Sequence, residues 1–236
     1  LKHWLENLHD WNISRQITWG IRMPVWYSTD NPEIHVVFIN HKKERVEGSL
    51  KDTLDLYEGK YSLKEISGGL QEMRAPVGAE YTISPTSPGD NFLQETDTFD
   101  TWFSSAQWPY TTLQTGREGD FDRFYPTDVM ETGYDILPFW VMRMLMMGLN
   151  KTNEVPFQNV YLHGLVRDAK GQKMSKSKGN TINPLEIIDQ YSADALRLAL
   201  VIRSSAGLDK SVGAGDFKAA RNFTNKLWNA TRFIMM

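Results

Sequence analysis

The sequence of 236 residues contains no cysteine, which excludes disulfide bonds and every zinc or iron–sulfur site that uses cysteine ligands. It also has no excess of one charge, because 26 lysines and arginines oppose 29 aspartates and glutamates. The net charge of −3 gives the whole chain no attraction to nucleic acid or to an anionic membrane, although it leaves room for a local basic patch. Taken alone, the composition favours an enzyme that acts on a small molecule.

Long hydrophobic runs are absent as well. The most apolar stretch, Ile136–Leu149, has 14 residues and contains Arg143, whereas a membrane-spanning helix needs roughly 20 apolar residues. We therefore expect no membrane partner and predict a buried helix with Pro138 in its first turn, where the missing N–H is not needed. The chain begins without a methionine and without the basic start of a signal peptide, so we expect a piece of a longer protein.

Apolar and turn-forming segments suggest the organisation of the chain, whose length suits one large domain or two small ones. Branched residues predict strands at Glu33–Ile39 and Asn159–Val166. Between His41 and Gln94 charged and turn-forming residues predominate, which is typical of an inserted surface module. The order of strand, helix and strand predicts an α/β fold, followed by an all-helical segment.

Three signals mark the helices of that last segment. Asn183 before Pro184 and Glu186 predicts an N-cap, a proline at the first helical position and a capping-box glutamate. Ser192 is a second N-cap candidate. We expect the final helix to be amphipathic, with one face made of Phe217, Ala220, Thr224, Leu227, Thr231 and Ile234.

A basic loop follows the second predicted strand, with the sequence RDAKGQKMSKSKGN at residues 167–180. It carries four lysines and one arginine in 14 residues. Its flexible glycines and the donor groups of Lys173, Ser175 and Lys176 suit a polyanion such as the phosphates of a nucleotide. The spacing of a Walker loop is absent. From charge alone, a solvated basic hairpin without a ligand explains the loop equally well.

The identity of the residues changes that balance, because KMSKS at 173–177 followed by KGN resembles the signature loop of class I aminoacyl-tRNA synthetases. Further segments match in order and cover well over half of the chain: ISRQITWGIRMPVWY (13–27), DTWFSS (100–105), FYPTDVMETGYDI (124–136), FWVMRMLMMGL (139–149), VYLHGLVRDAKGQKMSKSKGN (160–180) and AARNFTNKLWNATRF (219–233). Together they resemble the valyl-tRNA synthetases of that class.

The resemblance implies an organisation into domains. Residues 1–40 and 95–180 would form the second half of a Rossmann-type catalytic domain, and residues 41–94 an inserted module. Residues 181–236 would be a helical segment that contacts the tRNA stem and opens the anticodon-binding domain. The family implies a cytoplasmic location, which the absence of cysteine fits.

The activity that the resemblance implies is activation of valine by ATP to valyl-adenylate, followed by transfer to tRNA(Val), with Mg²⁺ bound to the ATP. The family needs no side-chain nucleophile, since catalysis is positioning plus stabilisation of charge on the phosphates. Lys173 and Lys176 are the implied catalytic residues, and no protein ligands to a metal are expected. The implied ATP-binding residues are His163, Gly164, Leu165, Val166, Lys173, Ser175 and Lys176.

The resemblance also implies an amino-acid pocket, formed by Trp102, Gly133, Asp135, Ile136 and Trp140. In that alignment Asp135 holds the ammonium group, and the two tryptophans and Ile136 surround the branched side chain. An aromatic wall excludes the extra methylene of isoleucine but rejects threonine only weakly. Ordinary core packing is the alternative explanation for these aromatic residues.

Two parts of the family's machinery do not occur in the sequence: the His-X-Gly-His signature, which binds ATP phosphates, and the editing domain that precedes ISRQ. We therefore expect the missing N-terminal half of the catalytic domain to be a partner that activity requires, and the isolated chain to be inactive. Two alternatives remain, a fragment of an isoleucyl-type synthetase and a non-catalytic fragment that binds a nucleotide or tRNA.

Overall fold

The computed structural model of the protein describes residues 2–202 and 204–236. The chain divides into two compact units, one of residues 8–105 and one of residues 2–7 and 106–236. The expected domains 1–40 with 95–180, 41–94 and 181–236 stay predictions.

The secondary structure consists of short strands and mostly short helices. The strands are β1 (Ser14–Arg15), β2 (Val25–Ser28), β3 (His35–Ile39), β4 (Arg45–Ser49), β5 (Leu70–Arg74), β6 (Tyr81–Ile83), β7 (Phe92–Gln94), β8 (Thr98–Phe99), β9 (Thr127–Gly133), β10 (Phe157–His163), β11 (Val166–Arg167) and β12 (Lys210–Ser211). The α-helices are α1 (Lys2–Glu6), α2 (Leu50–Thr53), α3 (Leu63–Gly69), α4 (Thr101–Ala106), α5 (Trp108–Gln114), α6 (Asp120–Phe124), α7 (Met142–Thr152), α8 (Pro184–Tyr191), α9 (Ala193–Val201) and α10 (Ala214–Ile234).

The unit of residues 8–105 contains two antiparallel three-stranded sheets and the short antiparallel pair β1 and β8. In one sheet β3 lies between β4 and β5, and in the other β2 lies between β6 and β7. Its core consists of Ile34, Val36, Phe38, Leu50, Leu54, Ile66, Met73 and Leu93. The predicted strand Glu33–Ile39 begins at His35 instead, because residues 31–34 form a turn in which the Ile34 N–H donates to the Asn31 carbonyl.

The other unit contains a strand–helix–strand motif made of β9, α7 and β10. The two strands are parallel and pair from Thr127 with Phe157 to Gly133 with His163. Parallel neighbours need a crossover connection, which in this unit includes α7. The helix is anchored to the strands by an apolar cluster of Met130, Val141, Met144 and Phe157. The carboxyl ends of β9 and β10 therefore lie side by side.

The predicted helix over Ile136–Leu149 is present in three parts: a 3₁₀ turn (Tyr134–Ile136), a π-helical turn (Leu137–Val141) and α7. Pro138 lies in the first turn of the π-helical part, as predicted. The expected burial is wrong for one face. Val141 and Met144 are fully buried, whereas Phe139 and Met146 remain almost half exposed.

The predicted strand Asn159–Val166 has different bounds. The strand spans Phe157–His163 and ends before Gly164, and Val166–Arg167 form the separate strand β11 with β12 as its parallel partner. The interruption at Gly164 and Leu165 shapes the candidate site.

Both predicted helix caps in the last segment are confirmed. The Asn183 Oδ1 accepts the N–H of Leu185 at 3.1 Å, and the Ser192 hydroxyl accepts the N–H of Ala195 at 3.2 Å. Glu186 differs from the capping box, because its carboxylate accepts from the Asn183 side-chain amide rather than from the backbone.

The final helix α10 buries only the first part of its predicted face. Phe217 and Ala220 pack with Ala195, Ala199 and Val212. Leu227 and Ile234 on the same face are exposed.

The described residues thus form a mixed α/β structure, the class that the sequence predicted. Among these residues no helix is both long and apolar enough to cross a membrane.

Candidate functional site at the carboxyl ends of two parallel strands

Two implied site residues face each other where β9 and β10 end, because Gly133 pairs with His163 in the last register position. In open α/β sheets, ligands bind outside the carboxyl ends of parallel strands. The chain beyond β9 carries Asp135 and the chain beyond β10 carries Gly164 and Leu165. The structure therefore brings residues of the implied nucleotide site and the implied amino-acid pocket to one edge.

Gly133 is buried and allows its neighbours to approach closely. A Cβ at this position would lie 2.8 Å from Asp135 Oδ1, and 3.6 Å from both His163 Cε1 and Leu165 Cδ2. The His163 ring lies 2.9 Å, through Nδ1, from the Gly164 carbonyl and 3.5 Å, through Nε2, from the Glu131 carboxylate. These contacts fix the orientation of the imidazole at the strand end.

Asp135 faces the basic loop. Its Oδ2 lies 3.9 Å from the Nζ of Lys173, with side chains that are 39% and 68% exposed, respectively. An ion pair this open to solvent adds little to stability. It does place an exchangeable cation beside the carboxylate implied for ammonium binding.

The first part of the basic loop is a tight hairpin. The Asp168 N–H donates to the Gln172 carbonyl at 3.0 Å, and the Gly171 N–H donates to the Asp168 carbonyl at 2.9 Å. The Asp168 Oδ1 also accepts the N–H groups of Lys170 and Gln172, at 2.9 and 2.8 Å. Arg167 and Lys173 form an isolated antiparallel bridge that closes the hairpin. Asp168 therefore stabilises the turn through hydrogen bonds to the backbone of residues within it.

The second part of the loop is closed by Asn180. Its Oδ1 accepts the Ser175 N–H at 2.9 Å, and its Nδ2 donates to Asp168 Oδ2 at 2.9 Å and to the Lys173 carbonyl at 3.3 Å. One side chain thus joins three points of the loop.

Lys176 lies in the segment between Ser175 and Asn180. Lys176 begins a 3₁₀ turn (Lys176–Lys178) that ends at Gly179, which has φ of 65°. The Ser175 and Ser177 hydroxyls lie 2.6 Å apart at its base. Lys176 is exposed, and its ammonium has no ion-pair partner among the described residues. A multivalent anion could therefore take up this charge.

The pKa values of two carboxyl groups in the site, those of Asp168 and Asp209, are lowered. The pKa of Asp168 is lowered chiefly by the hydrogen bond from Asn180, with the Gln172 and Lys170 N–H groups adding to it. The pKa of Asp209 is lowered chiefly by the Leu165 N–H and also by Arg167. In turn, Asp209 raises the pKa of Arg167.

Sequence reasoning missed Asp209, and also the hydrogen bond that Tyr134 makes with it. Asp209 accepts the Tyr134 hydroxyl at Oδ2, at 3.3 Å, and the N–H of Leu165, which follows β10, at Oδ1, at 2.8 Å. Asp209 is 44 residues from Leu165 in the chain, so no local pattern could have linked them.

The residues of the implied amino-acid pocket divide between the two units. Ile136 and Trp140 are half-buried near Gly133 in sequence, and the Trp140 ring lies 5.9 Å from that of Trp108, tilted by 37°. Trp102 belongs to the unit of residues 8–105.

The environment of Trp102 is organised by one buried carboxylate in the same unit. Asp100 accepts hydrogen bonds from the Trp102 N–H at 3.3 Å, the Trp11 indole at 2.7 Å and the Arg15 guanidinium at 2.9 Å. The start of α4, which carries Trp102, is thereby held to Trp11, before β1, and to Arg15 in β1.

Metal ligands of the usual kind are not clustered. In residues 2–202 and 204–236, no group of three or more His, Asp or Glu side chains could hold a metal ion.

Comparison with known proteins gives a family match over most of the chain. The model of the family described as tRNA synthetases class I (I, L, M and V) matches residues 1–212. A valine–tRNA ligase of Dehalococcoides mccartyi is 44% identical over 236 residues, which is 100% of this chain and 22% of that protein. One of Rhodopseudomonas palustris is 43% identical over 235 residues, 99% of this chain and 23% of that protein.

Among solved structures, the chain resembles the Agrobacterium radiobacter agnB2 LeuRS, crystallised as a ternary complex with tRNA and LeuAMS. The TM-score is 0.61 at 17% sequence identity, and the match covers 94% of this chain and 28% of that one. At this identity the likeness concerns the fold alone. The chain spans about a fifth of the length of the curated relatives that it matches.

Proposed function

The chain belongs to the family of class I tRNA synthetases (I, L, M and V). We propose that it carries one side of the catalytic site of a valine–tRNA ligase, the side formed by the basic loop of residues 167–180, called the lysine loop from here on. The observation that carries the proposal is the meeting of Gly133, His163, Asp135 and Lys173 at one strand edge. Formation of an aminoacyl-adenylate requires a surface for the nucleotide, a carboxylate for the amino-acid ammonium group and a cation for the phosphates. The strand end, Asp135 and Lys173 would supply these three groups.

On the nucleotide side, residues 163–166 would bind the adenine and the lysine loop would bind the phosphates. The base would lie against the exposed Val166, since the space that a side chain of Gly164 would need is already occupied by the Leu208 carbonyl. Lys173, Ser175 and Lys176 would surround the β- and γ-phosphates. Their donors are held on a loop that is already closed by Asn180, so little reorganisation accompanies binding. Mg²⁺ enters with ATP as part of the substrate.

The chemical step needs no nucleophile from the protein. A carboxylate oxygen of valine attacks the α-phosphorus of ATP, the bond from that phosphorus to the bridging oxygen breaks, and pyrophosphate leaves with the electron pair. Negative charge grows on the leaving group, so Lys173 and Lys176 stabilise the transition state more than the ground state. The terminal ribose 2′-hydroxyl of tRNA(Val) then attacks the valyl carbonyl and loses its proton, the bond from that carbonyl carbon to the phosphate oxygen breaks, and AMP leaves with the electron pair.

On the amino-acid side, Asp135 would receive the valine ammonium. In the structure its cationic neighbour is Lys173, at 3.9 Å. We infer that the ammonium group replaces Lys173 when valine binds, which releases the lysine toward the phosphates. Ile136 and Trp140, which follow Asp135 in the same unit, would contact the isopropyl group, and the part of Trp102 in the pocket stays a prediction.

The phosphate contacts on the opposite side of ATP would come from a His-X-Gly-His segment, which this sequence lacks. The isolated chain is accordingly proposed to be inactive until the N-terminal half of the catalytic domain is supplied. This half, tRNA(Val), valine and ATP are the proposed partners.

The test replaces the matching segment of the Dehalococcoides mccartyi valine–tRNA ligase with this chain and measures amino-acid-dependent exchange of pyrophosphate into ATP. We expect exchange with valine, much weaker exchange with isoleucine, and none from the isolated 236 residues. Exchange that prefers isoleucine would instead assign the chain to the isoleucyl type.

A third outcome would favour the non-catalytic alternative. The chimera would then bind tRNA with a steep salt dependence but form no adenylate with either amino acid. Robust exchange by the isolated chain would contradict the proposed need for the N-terminal half.

A further inference from the structure

Asp209 lies outside every motif of the family resemblance, yet its carboxylate contacts three residues around the strand ends. Oδ1 accepts the Leu165 N–H at 2.8 Å. Oδ2 lies 2.5 Å from Nη2 of Arg167 and accepts the Tyr134 hydroxyl at 3.3 Å. These partners come from the chain after β9, the chain after β10 and the first residue of the basic loop. One side chain therefore ties together the elements that bound the candidate site.

The backbone on both sides of Asp209 also forms hydrogen bonds with residues near the end of β10. The Gly207 N–H donates to the Leu162 carbonyl at 2.8 Å, and the Lys210 N–H donates to the Leu165 carbonyl at 3.0 Å. Between these bonds the Leu208 carbonyl lies so close to Gly164 that a Cβ there would be 1.7 Å from its oxygen. The segment 207–210 thus packs directly against residues 162–165, where β10 ends.

We propose that Asp209 is a positioning residue for nucleotide binding and adenylate formation. It fixes the backbone at residues 164–166, which are proposed to bind the adenine. Its ion pair with Arg167 also fixes the position at which the lysine loop begins. This inference rests on the proposed function, and it adds a residue that touches neither substrate.

An aspartate meets the geometric requirement better than its isosteres. The two oxygens accept from a neutral N–H on one side and a guanidinium on the other, which needs two acceptors and a negative charge. An asparagine has one acceptor, so either the Leu165 N–H or Arg167 would face an NH₂ group. Asp209→Asn therefore tests the charge with little change in shape, and Asp209→Ala removes both acceptors.

The first measurement needs only the 236-residue chain. We expect Asp209→Ala to speed amide hydrogen exchange at Leu165 by about 10- to 100-fold, as the loss of a charge-assisted hydrogen bond predicts. Asp128→Ala is the matched control for Asp209→Ala, and Asp128→Asn for Asp209→Asn, because Asp128 is exposed on β9 and makes no side-chain hydrogen bond or ion pair among the described residues. Unchanged exchange at Leu165 in Asp209→Ala would overturn the proposal.

The second measurement separates positioning from general stability. In the chimera, Asp209→Asn should raise the KM for ATP by about 10-fold and leave the KM for valine within about twofold. A purely structural role would lower the amount of active enzyme and change neither KM, or raise both together, and each result would overturn the proposal.

Direct ATP binding distinguishes failure of this inference from failure of the proposed function. A parent chimera that binds ATP without forming valyl-adenylate contradicts the proposed function, while the affinity of Asp209→Asn for ATP still decides the role of Asp209. We expect that affinity to fall about 10-fold, and an unchanged affinity would overturn the role.

Discussion

Asn180 and Asp168 lie 12 residues apart in the chain and are joined by a hydrogen bond of 2.9 Å from the asparagine amide to the aspartate carboxylate. Asp168 organises the hairpin at the start of the lysine loop, and Asn180 holds the segment that leads to Lys176. The pair closes a loop rich in positive charge. The lysines of this loop repel one another, and the hydrogen bond holds the loop closed against that repulsion. Loop geometry, rather than charge alone, thus fixes the backbone around the donor groups that are proposed to bind phosphate.

Asn180→Ala should open this loop. The substitution removes hydrogen bonds to the Ser175 N–H, to Asp168 and to the Lys173 carbonyl. We expect amide exchange at Ser175 to become about 10- to 100-fold faster. Asn222→Ala, at an exposed position of α10, is the control and should leave Ser175 unchanged. Equal exchange in both variants would mean that the asparagine does not hold the loop.

Acid should release the same pair. Because Asn180 and two backbone N–H groups lower the pKa of Asp168, the folded state favours its ionised form. The contribution is present above the unfolded pKa of about 3.9 and is lost as the pH falls through the folded pKa. A carboxyl carbon NMR titration measures this directly.

The variant Asn180→Ala makes that titration specific. It should raise the pKa of Asp168 toward its unfolded value. The pKa of Asp209 should not change, because it depends on Leu165 and Arg167. A parallel rise at Asp209 would show a general loosening rather than loss of one hydrogen bond.

Lys176→Ala should slow adenylate formation in the chimera. Loss of one preorganised group that stabilises charge in the transition state costs about 10² to 10³ in rate. Lys178→Ala removes the same charge from the same exposed turn and should have a much smaller effect. Equal effects of the two substitutions would reduce the role of Lys176 to the general charge of the loop.

Gly164→Ala should destabilise the chain strongly, because the new Cβ would lie 1.7 Å from the Leu208 carbonyl oxygen. We expect a loss of about 3 kcal/mol or more in the free energy of unfolding, the upper end for overpacking. Gly215→Ala is the control, since nothing lies within 4 Å of its Cβ at the start of α10 and it should stabilise by about 0.4–1 kcal/mol. Urea unfolding followed by circular dichroism compares them, and similar curves would show that Leu208 moves aside freely.

Much of the candidate site follows from sequence because it is encoded locally. The lysine loop and the residues of the strand end are contiguous letters, so the family resemblance assigns them by position. Whether Lys173, Lys176 and the pocket residues act as proposed stays a prediction. Trp102 illustrates the limit, since no local pattern relates it to residues 133–140.

The sequence by itself determined the features that depend on neighbours within a few residues: the caps at Asn183 and Ser192, the mixed α/β class and the helix after Pro138. Only the tertiary structure decided where the strand of residues 157–163 ends and which carboxylate supports the residues after it. The reason is physical, because Leu208 and Asp209 come from a segment more than 40 residues further along the chain. Such contacts arise when the chain folds back on itself, and no periodicity or spacing in the sequence encodes them.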